Sequence, residues 1–170
     1  DARFPYYEPN KLDLAAFWVS LHHLPLEDQE MTLRVTVKSL RKGGILVLFE
    51  PNAHFIPRQI VLKTRMRKDV YFDEEEKPLD FFSLKEKLES MEMKELFTKF
   101  IQPPYSLKFI KKLNNWPFYL LGVEFLHWLD RLLNLPLTNL LLKNSDKWHK
   151  KIRSYSASYF LSVYQKQDSI

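Results

Sequence analysis

The chain has 170 residues, of which 45% are hydrophobic, 15% aromatic and 28% charged, with 10 prolines, 3 glycines and no cysteine. That composition excludes a disordered tail, a collagen-like repeat and a disulfide-stapled miniprotein, and the missing thiols exclude a cysteine nucleophile, a thiolate metal site and a thiol redox role. Lysine and arginine number 26 against 21 acids, a net charge of +5, too moderate an excess to name a partner by itself.

At this length one domain is expected, able to bury roughly 70% of its unfolded surface. The chain opens Asp1-Ala2-Arg3 with no basic segment and no apolar run behind it, so no signal peptide is expected. The first predicted element is the nearly continuous apolar run Leu12 to Leu21, read as a strand buried on both faces of a parallel sheet. Acidic Glu27, Asp28 and Glu30 then open a helix with apolar Met31, Leu33, Val35, Val37 and Leu40. Basic Lys38, Arg41 and Lys42 lie near its end, and Gly43-Gly44 is expected to stop it. Ile45 to Phe49 reads as a second buried strand running into Glu50-Pro51-Asn52. Strand, helix, glycine pair and strand make a βαβ unit with parallel strands.

Beyond Asn52, Pro57 can start a helix to about Lys68, and an acidic loop over Asp73 to Glu76 follows. Ser83-Leu84-Lys85-Glu86 has the spacing of a capping box and opens a short helix to about Met91. Glu95 to Ile101 reads as a third strand, ended by Pro103-Pro104. Residues 105–151 read as two or three helices broken at Pro117 and Pro136, and Ser158 to Lys166 as a closing strand. The fold class is α/β, with a helical insertion before the last strand.

In sequence order, Asp1-Ala2-Arg3-Phe4-Pro5, Leu12-Asp13-Leu14-Ala15-Ala16, Leu21-His22-His23-Leu24, Leu40-Arg41-Lys42-Gly43-Gly44-Ile45-Leu46 and Glu50-Pro51-Asn52 together resemble the second half of a class I S-adenosylmethionine-dependent methyltransferase. The resemblance is best over residues 1–101, returns at the terminal strand and is poor through 105–151. It implies a partial Rossmann-like sheet holding strands four to seven of a seven-stranded order 3-2-1-4-5-7-6, the last antiparallel. The glycine-rich turn after strand one and the acid after strand two have no counterpart here. Only Gly43, Gly44 and Gly122 are present, and no loop can cradle a phosphate through several glycines. The expectation is therefore a single truncated domain over 1–170, one piece of a longer polypeptide.

The resemblance implies S-adenosyl-L-methionine as cofactor, Asp1 accepting from its adenine amino group, Ala2 packing on the ring and Trp18 lying along the methionine arm or ribose. The residues alone also allow Trp18 as a core tryptophan. Ligands of an open parallel sheet lie beyond the carboxyl ends of its strands, here Phe17 to His23 and Glu50 to His54. Methyl transfer asks chiefly for in-line placement, and a hydroxyl or amine acceptor must also lose a proton. His23 and Glu50 are the candidate catalytic groups. Against those roles stand a helix-capping or backbone contact for His23 and a loop-amide contact for Glu50; His54 is a lesser candidate. The five histidines, His22, His23, His54, His127 and His149, form no His-x-x-x-His pair, and no metal is expected.

Within 105–151, Glu124, His127, Arg131 and Asn134 recur at spacings of three and four opposite Phe118, Leu121, Phe125, Trp128 or Leu129, and Leu132. Three readings of this amphipathic stripe stand: a lid over the acceptor site, a membrane-surface contact or a dimer interface. Lys108, Lys111 and Lys112 before it, and Lys143, Lys147, Lys150, Lys151 and Arg153 after it, suit an anionic lipid surface. Charged Glu124, Asp130 and Arg131, at roughly 2.5–3.5 kcal/mol each at bilayer depth, argue against a transmembrane span. Arg58, Lys63, Arg65, Arg67 and Lys68 read as a solvated helix face, since no interleaved aromatics mark a nucleic-acid surface. The sequence thus points to a cytoplasmic methyltransferase, with peripheral membrane contact open, acting on a small or lipid-linked acceptor. The alternative is a non-catalytic α/β module binding membrane or a protein partner through residues 105–151. A strand four without its neighbour presents a bare edge, so a homodimer is also expected.

Overall fold

The structure is a computed structural model that describes residues 8–56, 59, 77–101, 128 and 146–167, the last stretch by backbone alone over 146–149. Among these, four strands and three α-helices follow in the order β1 (Leu12–Trp18), α1 (Leu26–Ser39), β2 (Leu40–Pro51), α2 (Phe81–Ser90), β3 (Met93–Ile101), α3 (Asp146–Ser156) and β4 (Tyr159–Lys166), with a 3-10 turn at Leu21–His23. The four strands form one sheet in the order β1-β2-β4-β3. The fold is α/β, a partial Rossmann-like sheet, and its last strand sits between the second and third as the resemblance implies. Apart from Gln59, the expected helix over 57–68 lies outside the described residues, as do the acidic loop and nearly all of 105–145.

β1 and β2 are parallel. β4 runs the other way: its end lies beside the starts of β2 and β3, with Gln165 Nε2 donating to Gly43 O at 3.3 Å, Lys166 Nζ to Leu40 O at 2.7 Å and Gln167 N to Glu92 O at 2.9 Å. Thr98 and Ser162 meet through their hydroxyls at 2.9 Å midway along β3 and β4.

Several local expectations change. β1 stops at Trp18 instead of Leu21, and it is not buried on both faces: Leu14 is 59% and Trp18 67% exposed. It is the outermost strand, so only β2 hydrogen-bonds to it among the described residues. The glycine pair does not stop α1. The helix ends at Ser39 and β2 begins at once, while the register jumps from Leu12↔Leu40 to Leu14↔Ile45, leaving three extra residues on β2. Gly43 takes φ +70° in this bulge, a conformation other residues resist, and a Cβ on Gly44 would lie 2.7 Å from Arg41 O. The pair bends a strand.

The buried stripe of α1 is Gln29, Thr32, Leu33, Thr36 and Val37, not Met31 and Val35; Met31 is exposed. Two polar residues of this helix satisfy themselves on the preceding turn, Thr36 Oγ1 donating to Thr32 O and Ser39 Oγ to Val35 O, each at 2.8 Å. That makes burial of hydroxyls tolerable. α2 opens two residues before Ser83 because Asp80, not Ser83, is its cap: its carboxyl accepts from Phe82 N at 2.9 Å and Ser83 N at 3.3 Å.

The chain divides into two compact units, one of Asp1–Ala53, Tyr71–Lys99 and Phe160–Ile170, the other of His54–Val70 and Phe100–Tyr159. Leu33, Leu46, Leu48, Phe81, Leu88 and Phe160 form the core of the first, with Phe81 and Phe160 rings 5.5 Å apart. In the second, Arg153 at the end of α3 donates through Nη2 to Phe100 O at 3.1 Å, and His54 meets Tyr155 edge-on at 6.0 Å.

Candidate functional site

Because β1 and β2 run parallel in register, their carboxyl ends lie side by side: Trp18 opposes Phe49, rings 4.6 Å apart and tilted by 37°. Trp18 is largely exposed there while Phe49 is half-buried. The chain then turns sharply. Val19 adopts φ +51° and donates its N–H to Phe49 O at 2.7 Å. A β-branched residue in the left-handed region costs roughly 1–3 kcal/mol, so the surroundings must hold it there.

Glu50 supplies the hold. It is fully buried, and its Oε1 accepts from Ser20 N at 2.9 Å and Leu21 N at 2.8 Å, while its Oε2 lies 2.7 Å from His22 Nδ1. His22 is only 4% exposed. A buried carboxyl is tolerable only with its oxygens engaged, and here both are. The 3-10 turn follows, His23 N donating to Ser20 O and Leu24 N to Leu21 O. His23 is exposed, its ring 4.0 Å from that of His22.

A third segment ties these ends together. Lys77 N donates to His22 O at 3.2 Å, Leu79 N to Pro51 O at 3.0 Å, and Ala53 N to Leu79 O at 3.0 Å; Asn52 and Leu79 form an isolated parallel bridge. Asn52, the bridge's other member, is fully buried. His22 is thus gripped twice, at its ring by Glu50 and at its carbonyl by the strap.

Of the residues singled out in the sequence, Trp18, His23 and Glu50 come together at the two strand ends. Asp1 and Ala2 lie outside the described residues. His54 belongs to the second unit, beside Tyr155. Two participants were not singled out for a role in the sequence. His22 is the histidine that meets Glu50, and which of two adjacent histidines turns inward depends on a 3-10 turn that no periodicity announces. The strap over 77–79 is a bridge between segments distant along the chain. Among the described residues no three His, Asp or Glu side chains are placed to hold a metal, and no helix is long and apolar enough to cross a membrane.

No family model and no curated protein matches the sequence. Solved structures do match in fold. A SAM-dependent methyltransferase from Archaeoglobus fulgidus aligns with 94% of this chain at 15% identity and a TM-score of 0.52. The [4+2]-cyclase SpnF aligns with 99% at 14% identity and 0.53. Phosphoethanolamine N-methyltransferase 2 of Haemonchus contortus, in complex with phosphomonomethylethanolamine and S-adenosylhomocysteine, aligns with 99% at 13% identity and 0.51. The chain spans 62%, 54% and 36% of their respective lengths. Its fold is therefore that of part of a class I methyltransferase domain.

Proposed function

We propose that this chain is the carboxyl-terminal part of an S-adenosylmethionine-dependent methyltransferase. The observation that carries the reading is the pairing of Trp18 with Phe49 at the carboxyl ends of two parallel strands, an exposed aromatic wall where open α/β sheets bind ligands. The described residues fit one side of the cofactor: Trp18 offers a flat apolar surface to its methionine arm or ribose, and the resemblance implies Asp1 and Ala2 for the adenine. When bound, the cofactor supplies an electrophilic methyl group. SpnF, a cyclase on the same fold, is the reason that fold alone does not decide the reaction.

In this reading the two candidate groups have different parts. His23, exposed on the turn, is the one able to take a proton from an acceptor hydroxyl or amine. Glu50 faces inward and supports the turn. The acceptor is a small or lipid-linked molecule, a reading supported by the Trp, Phe and Leu content of residues 105–151 and by the phosphorylated amine held by the Haemonchus enzyme. The basic flanks of that stretch and the 58% exposed Trp128 within it support peripheral contact with an anionic membrane by a cytoplasmic protein.

Calorimetric titration of the complete gene product with S-adenosylhomocysteine tests the proposal. Binding is expected, and Trp18→Ala should weaken it roughly three- to tenfold through the lost aromatic contact. Absence of binding by the complete protein overturns the reading. With an acceptor in hand, His23→Ala should lower kcat roughly 100-fold or more while leaving cofactor affinity unchanged.

A further inference from the structure

We infer that Glu50 and His22 are a buried positioning latch that sets the conformation of the turn between β1 and α1, and with it the placement of Trp18 and His23. The inference deepens the proposed methyltransferase reading and rests on it for the meaning of the turn, though not for the latch itself. Three independent facts converge on it. The turn begins with Val19 in the left-handed region, a conformation it does not choose unaided. Its next two amides, Ser20 and Leu21, both point at one oxygen of Glu50. The remaining oxygen is taken by the ring of His22, whose own carbonyl is held by Lys77 N.

The inference includes a tautomer. In the latch we infer, Nδ1 of His22, 2.7 Å from Oε2, carries the proton and donates it there. With both nitrogen and carbonyl of His22 fixed, the neighbouring ring of His23 is held against it at 4.0 Å on the exposed side. Glu50, with no exposed surface, thereby acts through other residues. Its position at the end of β2, opposite the end of β1, lets one side chain register two strand ends at once.

The test is hydrogen exchange by NMR on the full chain in three forms, wild type, Glu50→Ala and Glu50→Gln. In Glu50→Ala, Ser20 and Leu21 should exchange about tenfold faster or more, relative to the β2 amides Leu46 and Leu48. Glu50→Gln should restore their protection, because its side-chain carbonyl can still accept both amides. Its NH2 group, turned to His22, should move the imidazole proton from Nδ1 to Nε2, visible in the ring nitrogen shifts. Equal acceleration at Ser20, Leu21, Leu46 and Leu48, or an unchanged His22 ring in Glu50→Gln, overturns the latch. Should Glu50→Ala fail to fold, the His22 ring in Glu50→Gln still decides. In the complete gene product, Glu50→Ala should weaken S-adenosylhomocysteine binding about tenfold and Glu50→Gln less than threefold. A wild type that binds none overturns the methyltransferase reading, while the exchange result still decides the latch.

Discussion

Gly44 has no room for a methyl group: a Cβ there would stand 2.7 Å from Arg41 O and 3.1 Å from Leu12 O, both backbone atoms that cannot swing aside. Gly43 has room, its nearest neighbour being Gln165 Nε2 at 3.8 Å, but its φ of +70° strains any other residue. Gly44→Ala should lower the unfolding free energy by about 1–3 kcal/mol through overpacking. Gly43→Ala should lower it by about 1 kcal/mol through backbone strain alone. Urea titrations at unchanged slope would separate them, and a harmless Gly44→Ala would contradict the bulge geometry. The sequence marked these two glycines as punctuation, and that was legible. Their task was not, since a helix stop and a strand bulge ask for the same residue and only the partner strand distinguishes them. Asp80 carries a similar lesson: Ser83-x-x-Glu86 had the better motif, yet Asp80 meets the amides. Asp80→Ala should cost roughly 0.5–2 kcal/mol, with Ser83→Ala near neutral.

Helices α1 and α2 are joined across their surfaces by Glu30. Its carboxyl accepts from Lys87 Nζ at 2.9 Å and, four residues along its own helix, from Arg34 Nη2 at 2.8 Å. Lys87 first, and then Arg34, hold this carboxyl below the usual carboxylate range. The unfolded chain therefore takes up the proton first as pH falls, so the link is complete above the ordinary carboxylate value and is lost as pH drops through the depressed one. The gap in melting midpoint between wild type and Glu30→Gln should shrink from pH 7 to pH ~3, and in high salt, since the pair is exposed. A gap that widens on acidification would contradict the link. On the other side, Lys85 is bonded to Glu95 of β3 at 2.7 Å, which raises its own ionisation range and ties α2 to the sheet. Neither pairing was legible, because each joins two separate elements whose relative placement local pattern does not carry.

At the scale of the whole molecule, one face of the sheet is apolar and poorly covered. The register puts Leu14 with Ile45, Ala16 with Val47 and Trp18 with Phe49 on this face, and all are exposed or half-buried. On the opposite face Leu46 and Leu48 of β2 are fully buried. Parallel sheets are ordinarily covered on both sides, and an outer strand with an apolar face invites pairing. The 170-residue chain should therefore self-associate, its scattering mass rising with concentration, and Leu14→Lys should shift it toward monomer. A monomer at all concentrations would contradict this.

Among the described residues, the sequence by itself determined the four strands and helices α1 and α2 and their order, because apolar runs and acidic helix starts act over a few residues. It also determined that Trp18, His23 and Glu50 belong at strand ends, since those follow directly from where the apolar runs finish. Only the tertiary structure decided that the glycine pair bulges a strand and that His22 rather than His23 turns inward to Glu50. Each of those depends on a hydrogen bond nearly thirty or more residues away, where local pattern carries no information.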